Sequence, residues 1–162
     1  MEKSNELNKF LSYIHMGNSI FRIYYEEAKE IKDKQLMTEM VEIQEVFKKH
    51  EEHITKLINE LGEEATNSLT ATGLMGVYRE KMKIFDDAFS ICYNAIKSTN
   101  MGRLSAIKFL HENQDLPKKT CKAIENVIND YSLIIDRLQC YILEKILWNK
   151  IQSSRLDFFL ED

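Results

Sequence analysis

The sequence predicts an all-α protein, a four-helix bundle in which two antiparallel hairpins are joined by a long crossover. Three observations support this fold class. The 162 residues include one proline and five glycines, far below the usual shares of roughly 5% and 7%, which disfavours folds with many tight turns. Hydrophobic residues make up 44% of the chain, enough for one core. They recur at alternating spacings of three and four, as in amphipathic helices.

The first two helices are predicted to form a hairpin around Asp33. The first begins near Ser4, a residue type that caps helices, and the second ends at Gly62, which suits the left-handed position after a helix. The inward stripe of the first helix is Leu7, Phe10, Ile14, Gly17, Phe21, Tyr24, Ala28 and Ile31. That of the second is Leu36, Met40, Ile43, Phe47, His50, Ile54, Leu57 and Leu61.

The crossover is predicted to be partly helical. Residues 63–68 are typical of a loop, and residues 69–84 of a shorter amphipathic helix with Leu74, Tyr78 and Met82 on one side. Several of the seven methionines recur at helical spacing and are interpreted as core filler. These include Met37, Met40, Met75 and Met82.

The third and fourth helices form the second predicted hairpin. Asp86 and Asp87 suit the N-terminus of the third helix, and Pro117 fits the first turn of the fourth. The third stripe is Phe89, Cys92, Ile96, Thr99, Arg103, Ala106 and Leu110. The fourth is Ile124, Ile128, Tyr131, Ile135, Leu138 and Ile142. Two hairpins with a long crossover between them are associated with ferritin-like bundles.

Residues 1–147 are assigned to this bundle and residues 148–162 to a C-terminal tail. The tail has more apolar residues than a disordered end would carry, so we expect it to pack on the bundle or on a partner. Large aromatic residues bury the most area at interfaces. Trp148, Phe158 and Phe159 are therefore the candidate interaction residues.

The middle of the bundle is where side chains from all four helices should converge. Residues equally far from a hairpin turn lie side by side, which predicts one central layer: Gly17, Asn18, Phe47, His50, Thr99, Asn100, Arg103, Tyr131 and Ile135. Ferritin-like di-metal proteins place a Glu on each of two helices and a Glu-x-x-His pair on each of the others. Here His50 is the single strong donor directed inward. We interpret it as a core histidine that is hydrogen-bonded to Asn18, Asn100, Thr99 or Tyr131.

A metal site nearer the surface is the alternative. His50 and His53 form an HxxH pair, which places two imidazoles on one helix face, and Glu27 could add a carboxylate. We therefore expect no cofactor, with a divalent transition metal at His50, His53 and Glu27 as the alternative. His15 has no partner by spacing and is placed at the rim, and the adjacent pair Glu51 and Glu52 is interpreted as a solvated surface.

Several classes of function are disfavoured because the sequence lacks the motifs that they require. The sequence contains no phosphate-binding loop and no motif for a catalytic nucleophile. It therefore favours a protein that is not an enzyme. A net charge of −4 gives no attraction to nucleic acid. The sequence starts without a signal peptide and lacks a long apolar run, which predicts a cytoplasmic protein. Asp157, Glu161 and Asp162 disfavour attachment of the tail to membranes. The cysteines lack CxxC spacing and are expected to be reduced.

Three stretches of the sequence are informative together: Leu7–Leu36, which contains Gly17–Arg22, then His50–Gly62, and the run from Asp115–Pro117 to Asp136–Leu138. In these stretches, and over about residues 5–140, the chain resembles a bacterial family of ferritin-like four-helix-bundle proteins of unknown function. The resemblance implies the bundle fold and a bacterial stress-related setting, with which a role in sporulation is also compatible.

The resemblance also bears on metal binding. Only His50 matches a family ligand position, whereas Asn18, Asn100 and Ile135 stand where Glu, Glu and His would be needed. We therefore expect a non-catalytic protein that acts by association with itself or with a protein partner, and a metal-binding ferritin-like protein is the alternative.

Overall fold

The computed structural model describes residues 2–160 and the side chains of residues 5–155. The described residues form five helices: α1 (Glu2–Glu30), α2 (Lys34–Glu60), α3 (Ala71–Lys81), α4 (Ala88–Glu112) and α5 (Lys118–Leu160). Within residues 2–160 there is no strand. α1 packs on α2 and α4, and α5 packs on α4 and α2, so α1 lies diagonally opposite α5. Two hairpins joined by a crossover that contains α3 confirm the predicted bundle.

Local capping explains where the helices begin and end. The Asp33 carboxylate accepts a hydrogen bond from the Leu36 amide at 3.0 Å, and Asp87 forms a capping box with Ser90 at the start of α4. Gly62 follows α2 with a φ of +80°, a left-handed conformation that favours glycine. These three predicted boundaries are confirmed. α1 begins at Glu2, two residues before the predicted start near Ser4, so Ser4 lies inside the helix and the prediction that it caps the helix is wrong.

The core contains most of the predicted stripes, with two clear exceptions: Leu61, at the C-terminal end of α2, is 47% exposed, and Phe89 on α4 is the other. Phe89 was predicted to face inward, but 54% of its surface is exposed. The buried side of α4 is centred instead on residues that lie two, three and six positions later, namely Ile91, Cys92 and Ala95. This rotation turns Phe89 outward, where its ring stacks on Tyr93 with centroids 5.9 Å apart.

The crossover helix is shorter than predicted and packs by its small residues. Thr70 caps it by accepting a hydrogen bond from the Gly73 amide at 3.0 Å. Gly76 lies so near α1 that an added Cβ would be 2.4 Å from the Met16 methyl carbon. The opposite side of α3 consequently faces outward. The prediction that Met75 and Met82 fill the core is wrong, since they are 65% and 66% exposed.

α5 continues without a break through the predicted boundary between residues 147 and 148. Near the end of the bundle, Asp33 in the α1–α2 turn accepts a hydrogen bond from Tyr141 and pairs with Lys145 at 3.2 Å. Every residue from 146 to 155 is exposed. α5 therefore leaves the bundle just after Lys145. Within the described residues, no helix has the length and apolar character needed to cross a bilayer.

Candidate functional site

The predicted central layer is filled by aromatic rings. The Phe47 ring lies 5.2 Å from the rings of both Phe21 and Tyr131, measured between centroids. Two glycines allow this packing. An added Cβ would lie 2.4 Å from Phe47 Cε1 at Gly17 and 2.9 Å from Tyr131 Cε2 at Gly102. The rings thus occupy the space in which a ferritin-like bundle would place ligands.

His50 is buried, as its position in the stripe predicted, but its partner is different. Its Nε2 lies 2.7 Å from Oδ2 of Asp130 on α5, so the predicted bonds to Asn18, Asn100, Thr99 or Tyr131 are wrong. α5 presents Asp130 rather than Tyr131 toward this imidazole because Tyr131 points into the core. Burial lowers the pKa of His50, and the adjacent Asp130 opposes that effect only in part.

Asn100 and Thr99 are also engaged elsewhere. The Asn100 side-chain oxygen accepts a hydrogen bond from the Arg103 guanidinium at 2.9 Å, and Thr99 donates to the Ala95 carbonyl in its own helix at 2.8 Å. Arg103 also reaches Ser132 at 3.3 Å. Its buried Nε has no hydrogen-bond partner among the described residues. A guanidinium therefore lies at the level where a di-metal protein would hold cations.

A polar cluster that the sequence did not predict joins α1, α2 and the crossover loop. Nδ1 of His15 lies 2.9 Å from Oε1 of Glu51, and its Nε2 lies 2.9 Å from the Thr66 carbonyl oxygen. Asn18 donates to the same carboxylate at 3.3 Å. The interpretation of Glu51 as solvated is therefore wrong, and His15, for which spacing showed no partner, has two. Spacing could not show this because the crossover loop supplies one partner.

The geometry favours the charged form of His15. Both of its ring nitrogens face acceptors, a carboxylate and a backbone carbonyl, and a neutral imidazole can donate from only one nitrogen. The hydrogen bond to Glu51 is the main cause that raises the pKa of His15. Asn8 and Ser12 hold the same loop: Asn8 bonds to Glu64 and Thr66, and Ser12 donates to the Ser68 carbonyl. Side chains of α1 thus hold the crossover loop through hydrogen bonds to the backbone of the loop.

A second buried cluster joins the crossover helix to the bundle. The Tyr24 hydroxyl donates to the Glu80 carboxylate at 2.5 Å and lies 2.8 Å from the Ser98 oxygen. Lys83 pairs with Glu80 at 2.6 Å. Burial raises the pKa of Tyr24, and the hydrogen bond to Glu80 adds to this effect. Glu80 had no signal in the sequence beyond its place on the polar side of a short helix.

The metal-candidate residues occupy different surroundings. His50 is buried, His53 is exposed one turn later, and Glu27 is half-buried on α1. Glu51 on α2 faces His15, so Glu27 lies 12 residues, or about 18 Å, farther along α1 from that level. Among the described residues, no three His, Cys, Asp or Glu side chains are grouped as a metal ion requires.

The ligand atoms available in the central layer also do not suit the di-metal centre of a ferritin-like protein. Iron or manganese would need several carboxylate oxygens around an open position. The central layer supplies a single imidazole, His50, which is paired with Asp130, and otherwise aromatic rings, amides and a guanidinium. These residues do not fit a carboxylate-bridged pair of metal ions.

The interaction candidates lie on the part of α5 that leaves the bundle. Trp148 is 59% exposed, and the neighbouring apolar residues Leu147 and Ile151 are exposed as well. The side chains of Phe158 and Phe159 lie outside those that the structure describes.

Comparison with known proteins supports the fold. No family model matches the chain, and no curated protein matches it. Among solved structures it is similar to the bacterioferritin-related protein of Bacteroides fragilis, described as a dodecameric thioferritin. The two share 12% identity, and the match covers 90% of this chain and 89% of the other with a TM-score of 0.70. The chain has a ferritin-like helical-bundle fold.

Proposed function

We propose that this protein is a non-catalytic helical bundle that acts by association with itself or with a protein partner. The C-terminal end of α5 makes the contact, with Trp148, Phe158 and Phe159 as its anchors. A bacterial stress or sporulation setting in the cytoplasm is part of the same proposal. The central layer of the bundle is packed with aromatic rings. A function by association requires no catalytic residues there.

The exposure of α5 beyond Lys145 carries this proposal. Apolar side chains on a soluble helix are normally turned toward a core, but Leu147, Trp148 and Ile151 are all exposed. The part of α5 after residue 147 is about 20 Å long at 1.5 Å per residue. A helix of that length is marginal in water unless something packs against it. The description of the similar Bacteroides fragilis protein as dodecameric favours self-association.

Truncation after Lys145 tests the proposal. Lys145 and Tyr141 remain, so their contacts with Asp33 are kept and the bundle should fold. We expect the shortened chain to lose its oligomeric state, or its partner, in sedimentation and pull-down experiments. Trp148→Ala should weaken association, whereas Gln152→Ala, at another exposed position of the same segment, should not. Unchanged assembly and partner binding after truncation would overturn the proposal.

Metal binding by a ferritin-like protein is the second candidate, favoured by the description of the similar structure as a thioferritin. Elemental analysis of protein purified without chelator distinguishes the two. Stoichiometric iron, manganese or zinc that is lost in His50→Ala but kept in His111→Ala would overturn the non-metal proposal. His111 is a suitable control because it is exposed near the end of α4.

A further inference from the structure

The outward side of α3 is an apolar surface that no described residue covers. It consists of Leu74, Met75, Tyr78 and Met82, which are 58–66% exposed, and we call it the α3 face. The opposite side of α3 is the buried one, where Gly73 and Glu80 pack toward the bundle. Contiguous apolar patches of this kind on a soluble protein mark interaction sites.

Positive charges border the α3 face. At 100° per residue, Arg79 and Lys81 lie roughly 80° to either side of its centre. Neither forms an ion pair or a side-chain hydrogen bond with the part of the chain that the structure describes. Lys83, by contrast, is paired with Glu80 at 2.6 Å. The α3 face therefore fits a ligand that is apolar and acidic.

The C-terminal residues of the chain have this chemistry. Residues 156–162 read Leu-Asp-Phe-Phe-Leu-Glu-Asp, with apolar residues between three carboxylates and no basic residue. The apolar groups would pack on methionines, whose flexible thioethers adapt to different partners. The carboxylates of Asp157, Glu161 and Asp162 would meet Arg79 and Lys81. Residues 156–162 and the α3 face are thus both apolar and carry opposite charges.

The geometry makes a second copy the donor of this segment. α3 lies on α1, where Gly76 meets Met16 and Glu80 meets Tyr24. α5 packs on α2 and α4, diagonally opposite α1, and it remains helical as far as Leu160. The segment could reach its own α3 face only if this helix broke and reversed across the bundle. A neighbouring molecule receives it with no such change.

We propose that residues 156–162 of one molecule dock on the α3 face of a second copy. This inference rests on the proposed function, and it specifies the receiving surface and the partner. Each molecule then donates one segment and accepts another. Reciprocal exchange between two molecules gives a two-fold dimer, whereas donation that passes on to a third molecule gives a closed ring or an open filament.

Complementation between two full-length variants tests the inference. Met75→Glu with Tyr78→Glu disables the α3 face, and Phe158→Ser with Phe159→Ser disables the segment. Each variant alone should be monomeric in analytical ultracentrifugation at concentrations where the unchanged protein is assembled. Mixed together, they retain one intact contact per pair and should form a one-to-one dimer. Leu133→Glu, at an exposed position on α5, should assemble as the unchanged protein does.

Charge reversal provides a second test that leaves the apolar groups in place. Arg79→Glu with Lys81→Glu should weaken assembly at least tenfold, and Asp157→Lys with Glu161→Lys in the same chain should restore it. Circular dichroism checks that each variant keeps its helices, since all substituted positions on α3 are exposed.

The remaining outcomes separate this inference from the function on which it rests. If the α3-face variant assembles normally, the segment docks elsewhere and the inference is wrong, while self-association stands. If the unchanged protein is monomeric but binds another protein through its tail, the inference is again wrong and the proposed function stands. If truncation after Lys145 alters neither assembly nor binding, both are wrong.

Discussion

His15 and His50 lie on the two helices of the first hairpin and respond to protons in opposite directions. The pKa of His15 is raised from its ordinary value of 6.5, chiefly by the hydrogen bond to Glu51. Its stabilising contribution is complete below pH 6.5 and is lost as the pH rises through the raised pKa. The pKa of His50 is lowered, chiefly by burial, so its contribution is lost as the pH falls from 6.5 toward the lowered value.

Titration of the histidine ring protons by NMR checks this opposition. We expect the pKa of His15 above 6.5 and that of His50 below it. Glu51→Gln should lower the pKa of His15 by removing its main hydrogen-bond acceptor and should leave His50 much less affected. Glu52→Gln is the matched control, because Glu52 is adjacent but exposed. A His15 pKa that stays unchanged in Glu51→Gln would contradict the assigned pair.

Two glycines at similar close approaches should respond differently to alanine. At Gly17 the new Cβ would meet the Phe47 ring at 2.4 Å, and at Gly76 it would meet the flexible Met16 methyl at the same distance. We expect Gly17→Ala to lower the free energy of unfolding by about 1–3 kcal/mol, as overpacking does. Gly76→Ala should be neutral or stabilising by up to about 1 kcal/mol, through helix propensity. Urea unfolding curves measure both, and equal losses would contradict this account.

At the scale of single residues, the sequence predicted which side chains face inward but not their partners. The burial of His50 followed from its place in the stripe. Asp130 could not be predicted as its partner, because that contact depends on how far α5 is rotated against α2. Spacing along one helix carries no information on the rotation of another.

The crossover helix is held by its buried polar contact with α1 rather than by a broad apolar face. Tyr24→Phe removes the hydroxyl that Glu80 and Ser98 share and leaves a buried carboxylate with one donor fewer. We expect a loss of about 1–3 kcal/mol in the free energy of unfolding and faster amide exchange in α3. Tyr78→Phe alters an exposed tyrosine of α3 and should change neither quantity.

Elements with strong local signals were predicted well. Asp33, Gly62 and Asp87 act through their own backbone and its next turn, so their effects can be read from the sequence. The outward direction of the Phe89 and Met75 side chains could not be predicted from the sequence. A short run of apolar residues fits two helix faces, and the choice is made by the neighbours that pack against it.

At the scale of the whole molecule, the unequal helix lengths are informative. α5 has 43 residues, against 25 in its partner α4, and the excess lies outside the bundle. In dilute monomer we expect the amides of residues 148–155 to exchange hydrogen nearly as fast as those of an unfolded peptide, since these residues are exposed and no described side chain packs on them. Protection should appear as the protein concentration rises. Full protection of these amides from hydrogen exchange at all dilutions would contradict the conclusion that no described residue of the monomer supports this segment.

The overall topology could be predicted because chain order and turn positions nearly determine it: short turns make antiparallel neighbours, and the long connection carries the crossover. Assembly could not be predicted in the same way. The stripes of α3 and the end of α5 look like core in the sequence, since apolar residues that meet another molecule have the same periodicity as those that meet their own bundle.

The close packing of Phe47 between Gly17 and Tyr131 also determines what the bundle could be made to hold. Shortening this one ring to alanine would cost about 3–5 kcal/mol and would open a chamber lined by a glycine and aromatic carbons. Chambers of this kind stay dry and accept benzene or xenon. The interior could therefore be made to bind small uncharged molecules, and Gly17, which faces the Phe47 ring, would set the width of that chamber.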